Sequence, residues 1–365
     1  MKNTISTGTA ALLLVLALAA NARGTQFLPG HLAVLRAGDG VVDLSLRQAP
    51  IFVDQFDPNT LNTAPSFSVR IPTNGASSFF FNGHAASEGI LTRSADQKCL
   101  AFAGYGGLDL LHINGTASRL DIQRGICTVD RSGTIHTLLY KHNLTEEKIN
   151  PRGVVTDGTN SFWGCGNAHG TYYYNPSNLH EPVWFTAFPN SRAIKIINNA
   201  LYASMNAADG HLLDEPAGIY SFLPETLPRH ANTSINLVVP SDAAFKKVVG
   251  FDINPAGTIA YMSDTAAGIQ KYVKSETTWK LACNFTMPQN IPRNLNNSAG
   301  CFGLLVDFSG PAPVIYATTT EGYGGAVNSN RVVRIVDTNS AAIVTTLVQA
   351  GSTNIAFRGI DFTPN

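Results

Sequence analysis

An all-β fold is predicted by three features of this 365-residue chain. Helical periodicity is absent after Ala22, with no stretch of helix length carrying apolar side chains at i, i+3, i+4 and i+7. Short runs rich in Val, Ile, Tyr, Phe and Thr alternate instead with turn residues, in a composition holding 32 Gly and 19 Pro and only 14% charged residues. Finally, a Gly-marked run recurs along the chain, and its last copy has no strand behind it. Together these predict a β-propeller of six four-stranded blades, closed by the C-terminal strand completing the N-terminal blade. Seven blades is the competing count, and a sandwich or β-helix the competing architecture.

The chain opens on Lys2, an apolar run AALLLVLALAA (10–20) and the small-x-small site Ala20-Asn21-Ala22. Residues 1–22 therefore read as a signal peptide and 23–365 as a single propeller domain, secreted to the extracellular space. The run is too short to span a membrane, which takes about 20 apolar residues.

HLAVLR (31–36), PIFVDQF (50–56) and SFSVRIP (66–72) form three strands with no first strand of their own. First strands then follow at Glu88-Gly89-Ile90-Leu91, Arg152-Gly153-Val154-Val155, Arg192-Ala193-Ile194-Lys195, Val249-Gly250-Phe251-Asp252 and Phe302-Gly303-Leu304-Leu305. Each leads through a short turn to a second strand: KCLAFAG, SFWGCG, ALYASM, TIAYMS and PVIYATT. Hairpins such as GIQKYVKSETTWKLACNF supply the third and fourth. The last unit, FRGIDFTP (357–364), is a first strand with nothing after it, so it is expected to pair with 31–36 and close the ring. Counting Arg124–Asp130 as a first strand would give seven blades; it aligns better with the third strand Arg331–Asp337, and six is preferred.

Five cysteines, Cys99, Cys127, Cys165, Cys283 and Cys301, lack metal-ligand spacing. In an oxidising compartment Cys283 with Cys301 is the best disulfide candidate. Sequons at Asn114, Asn143, Asn232, Asn284 and Asn296 permit a glycoprotein. The 25 basic and 25 acidic residues balance, which argues against a nucleic-acid partner, and 44% hydrophobic content excludes a disordered chain.

The succession HAASEGILTRSADQKCLAFAGY, NPRGVVTDGTNSFW, NSRAIKIINNALYAS, GIQKY, TWKLACNF, IYATTTEG and FRGIDFTP resembles a group of secreted bacterial β-propeller proteins, mostly uncharacterised. The resemblance covers nearly the whole mature chain. It implies the propeller fold and secretion, and it carries no reaction.

In such a fold, loops enter the first strands on the same rim where second and third strands join, and here the long segments (73–87, 141–151, 240–248, 287–299) fall on that rim. Binding usually occupies long loops on a rigid scaffold. The rim receives Glu88, Arg152, Arg192 and Arg358 at the mouths of first strands, with His84, Asn167, His169, Asp209, Asp264, Glu321 and Tyr323 from nearby loops. Converging guanidinium forks suit a carboxylate or phosphate; the alternative is that each Arg ties neighbouring blades by bonding an acid or a carbonyl. Tyr172-Tyr173-Tyr174 alternates across a strand, so one face packs and the other is free to pack or to show, with core packing favoured over sugar stacking.

Sialidases arrange three Arg around a substrate carboxylate, but their Asp-box repeat is missing here. Calcium-binding propeller lactonases place acids where this chain has Arg. No P-loop, G-x-S-x-G or H-E-x-x-H occurs, and neither a cofactor nor a metal is expected. Two functions follow as expectations. One is a secreted monomer binding a small anionic or polyhydroxylated, carbohydrate-like ligand at the channel mouth through Arg152, Arg192, Arg358, Glu88, Asn167, Asp264, Glu321 and Tyr323, or serving as an interaction module. The other is an extracellular hydrolase or lyase on the same mouth, with Glu88, His84 or His169 transferring the proton.

Overall fold

The computed structural model describes residues 24–44, 48–106, 122–140, 150–167, 170–179, 181–185, 190–206, 216–288, 300–321, 330–339 and 342–365. The described residues form β-strands and turns, in six antiparallel sheets arranged as the six blades of a propeller. Blade one orders Ala356–Phe362, Leu32–Ala37, Ile51–Phe56 and Phe67–Arg70 from the axis outward. The closing register pairs Leu32 with Phe362, Val34 with Ile360 and Arg36 with Phe357, so the last strand does complete the first blade. Blades three to six each run in chain order from an inner strand: Pro151–Thr156, Ser191–Ile197, Val248–Ile253 and Cys301–Asp307. Gln123–Asp130 is the third strand of blade two, between Cys99–Gly106 and Ile135–Tyr140, and the count is six.

Blade two departs from the expected pattern. Its inner edge is shared by Thr92–Arg93 and by Phe79–Asn82, a strand inside what the sequence presents as a loop. Phe79, Phe80 and Phe81 are buried, which draws this segment into the sheet, while Glu88–Leu91 leave the ladder. The Ile90 amide donates instead to the Arg152 carbonyl of blade three.

Both faces of a blade meet a neighbour, so the core is a set of six apolar wedges between blades. That geometry buries the tyrosine run on both faces, in line with the expected core packing. Tyr172 and Tyr174 pack with Tyr140 and Ile126 of blade two, and Tyr173 packs with Tyr220 and Phe222 of blade four. The expected Cys283–Cys301 bridge is corrected, since all five cysteines are free thiols. Cys283 lies on the outermost strand of blade five and Cys301 on the innermost strand of blade six, which offsets them radially.

The recurrent Gly has a physical cause. Where it stands in blades three, five, six and one, and at Ala193 in blade four, the ladder to the second strand is interrupted by a bulge. A bulge releases backbone groups that must then find other partners. In blades four to six a hydroxyl supplies them. The Ala193 amide donates to Ser204 Oγ, which donates to the Val249 carbonyl of blade five. The Gly250 amide and Ser263 Oγ repeat this onto the Phe302 carbonyl, and the Gly303 amide and Thr318 Oγ1 onto the Arg358 carbonyl. Cys165 Sγ reaches the Arg192 carbonyl at 3.5 Å, the Ile90 amide takes that of Arg152, and the Arg358 guanidinium takes that of Glu88 at 3.3 Å. The carbonyl preceding each marker residue is thus bonded by the previous blade, all the way round. A Cβ at Gly303 would lie 2.4 Å from the Arg358 carbonyl oxygen, so the contact between neighbouring inner strands requires Gly there.

Candidate functional site

The inner strands touch in a closed cycle around the axis. At the end where chains enter the first strands, Glu88 is fully buried. Its carboxylate accepts from the Tyr105 hydroxyl at 2.8 Å and the Asn82 amide at 3.0 Å. Burial pushes this carboxyl up from its usual 4.5, against the Arg358 charge, the Tyr105 and Asn82 hydrogen bonds and the Arg152 charge. Burial, then the Glu88 charge, drives the Tyr105 hydroxyl well above 10.0.

Arg358 donates to the carbonyls of Glu88, Asn82 and Gly83, crossing from blade one to blade two. Arg152 donates to Asn190 Oδ1 and, at 2.8 Å, to the Ser191 carbonyl, crossing from blade three to blade four. Both forks therefore run blade to blade. Arg192 is half-buried on the same rim. Asn167 Oδ1 holds the Asn150 amide, whose side-chain oxygen faces the Tyr105 hydroxyl at 3.3 Å. Asp264 is buried and accepts from the amides of Lys247, Ala266 and Ala267, fixing a loop. Glu321 pairs with Arg331, which also donates to the Pro288 carbonyl. His84 is exposed and its amide bonds to Asn82 Oδ1. His169, Asp209 and Tyr323 lie outside the described residues, as do 141–149 and 289–299. Glu88, Arg152 and Arg358 thus converge, while Asp264 and Glu321 belong to separate local networks.

Two buried basic residues on this rim escaped the sequence reading. Arg124 sits over the Tyr105 ring, and Arg331 binds Glu321. Both open third strands, in QRGICTVD and NRVVRIVD, and that shared position was the signal available.

The opposite end holds a cavity of about 580 Å³. Its lining comes from the ends of inner strands and from the short turns after them, including Arg93, Ser94, Ile197, Asp307, Phe308 and Ser309. Charged residues form its floor. Lys195 Nζ donates to Asp252 Oδ2 at 3.0 Å and reaches the Leu304 carbonyl at 3.2 Å, so a blade-four side chain spans to blade six. Asp252 also accepts the Val306 amide, and Asp361 accepts the Arg93 amide at 2.8 Å, each tying its blade to the next. Burial pushes the Asp361 carboxyl up from 3.8, against the charges of Lys195 and Arg93 and the amides of Arg93 and Phe362. Lys195, Asp252 and Asp361 all stand two residues after the marker position of their strands. The repeat that singled out the Arg ring therefore also carried this second layer, three residues further along, where the extra residue of the bulge returns the side chain to the axis side. Among the described residues, no group of three or more His, Cys, Asp or Glu could hold a metal ion, and no helix is long and apolar enough to cross a membrane.

No family model and no curated protein matches this sequence. Solved structures do. A chain of a nidogen/laminin complex superposes with a TM-score of 0.51 at 11% identity, covering 91% of this chain and 98% of its own. A candidate 6-phosphogluconolactonase of Bacteroides fragilis gives 0.45 at 11% identity over 87% of this chain and 82% of its own. A GH74 enzyme of Niastella koreensis gives 0.43 at 11% identity, over 81% of this chain and 43% of its own. Likeness at such identity concerns the fold alone.

Proposed function

We propose that this protein is a secreted binding module that holds a small molecule in the channel mouth formed by the turns between first and second strands. The observation that carries this reading is the cavity of about 580 Å³. Small-molecule sites are concave, occupy roughly 300–1,000 Å³ and combine apolar walls with a few placed polar groups. This one joins Val155, Ile197 and Leu305 to Lys195, Asp252 and Asp361. Secretion is supported by the basic, apolar and small-residue segments at the amino terminus. The Arg-lined mouth supports binding less well, because the forks of Arg152 and Arg358 are engaged with carbonyls of the next blade.

Crystals soaked in mixtures of small polar molecules test the reading. Ligand density is expected in the cavity, and Ser309→Trp, at an exposed position on its wall, should eliminate it. Density confined to the surroundings of Arg152 and Arg358 would return the site to the opposite mouth. A cavity left empty by every mixture would overturn the proposal.

A further inference from the structure

We infer that the ligand of this cavity is a neutral, polyhydroxylated molecule of sugar size, bonded through its hydroxyls to Lys195, Asp307 and Asp361; this rests on the binding reading above. Hydrogen-bonding capacity left over by the protein is the first ground. An ammonium has three donors, and Lys195 uses one on Asp252 and one on the Leu304 carbonyl. Each carboxylate oxygen can accept about two hydrogen bonds. Asp361 receives one on each oxygen, from the amides of Phe362 and Arg93, and keeps room on both. Asp307 receives only the Ser309 amide, on Oδ1. The cavity thus offers one donor and several acceptors, which a hydroxyl can satisfy in either sense.

The charge distribution disfavours the anionic alternative. Three carboxylates, those of Asp252, Asp307 and Asp361, line the cavity. Lys195 is already paired with Asp252, and the Arg93 guanidinium lies over the Phe362 ring with a bond to the Thr363 carbonyl. A ligand carboxylate or phosphate would enter next to three acids, and Arg93, the lining cation that no carboxylate pairs, is held over the Phe362 ring. A bare cation offers no acceptor to the remaining Lys195 donor. Finally, Phe308, Pro255 and Ile197 supply apolar wall against which the C–H face of a sugar ring can lie.

Titration calorimetry tests this with methyl glucoside, methyl galactoside, methyl mannoside and inositol as neutral probes, glucosamine as the cationic probe and glucuronate as the anionic one. At least one neutral probe should bind, with glucuronate about tenfold weaker or silent. Asp307→Ala should weaken the neutral probe by about tenfold, and Ser309→Trp should abolish its binding, both with unchanged melting temperature. Glucuronate or glucosamine binding more tightly than every neutral probe overturns the ligand class and leaves the binding reading standing. Neutral binding that survives Ser309→Trp places the ligand elsewhere and overturns both. Silence from every neutral probe overturns the ligand class, while the soaked crystals decide the binding reading independently.

Discussion

A methyl group in the wrong place would separate neighbouring blades. At Gly303 a Cβ would lie 2.4 Å from the Arg358 carbonyl oxygen and 3.0 Å from Thr318 Oγ1, the pair that ties blade six to blade one. Overpacking of this kind costs about 1–3 kcal/mol. Gly303→Ala is therefore expected to destabilise by that amount in urea melts. Gly351→Ala, with nothing within 4 Å, should stay within about 0.5 kcal/mol. Buried carboxyls set a second residue-scale expectation. Glu88 and Asp361 have folded pKa values raised by burial from 4.5 and 3.8. Their contribution to stability is full below those ordinary values and is lost as pH rises through the higher folded ones. Asp337 behaves oppositely. Burial pushes its carboxyl up, but the hydrogen bonds from Lys271, Tyr261 and the Asn339 amide, with the Lys271 charge, outweigh burial and hold it below 3.8. Its contribution is present above 3.8 and lost as pH falls through the lower folded value. Stability should thus rise on acidification from neutrality toward 4.5, and Asp337 should pull it down once pH drops below 3.8. Glu88→Gln should flatten the rise. Asp337→Asn should flatten the fall and cost about 3 kcal/mol at neutral pH by uncoupling Lys271, both read from melts across pH.

Inner strands hold to one another through few groups, which concentrates the effect of single changes. Ser204 Oγ accepts the Ala193 amide of its own blade and donates to the Val249 carbonyl of the next. Ser204→Ala removes both bonds at a buried position, and the expected loss is about 1–3 kcal/mol in a denaturant titration. The C-terminal strand Ala356–Phe362 does two jobs. It pairs with Leu32–Ala37, and Asp361 on it accepts the Arg93 amide of blade two. Deleting residues 357–365 should expose the edge of Leu32–Ala37 and aggregate or unfold the protein, as size-exclusion chromatography and thermal melts would show. A monomeric deletion variant with unchanged melting temperature would contradict closure as a source of stability.

At the scale of the whole molecule, the strand repeat, the count of six and the closure between the chain's two ends were all legible in the sequence. They follow from local composition and from which strands lack a partner, both of which survive in one dimension. Blade two was read less well, because whether Phe79–Asn82 or Glu88–Leu91 fills the inner edge depends on packing against Gly104 and Gly106 of the next strand out. Core packing of the tyrosine run was the favoured expectation, but alternation tells only which residues share a face, and the ring is what covers both faces. The sequence also placed Glu88, Arg152 and Arg358 on one rim. It could not tell whether their side chains meet solvent or the carbonyls of the next blade, since a guanidinium satisfies either, and only the spacing between blades decided for the carbonyls. Lys195, Asp252 and Asp361 were present in the same repeat register, yet the cavity above them arises from how the turns of blades two, five and six splay around the axis. Patterning along the chain therefore determined the architecture, and the distances between blades, which no single strand encodes, decided where a ligand has room to bind.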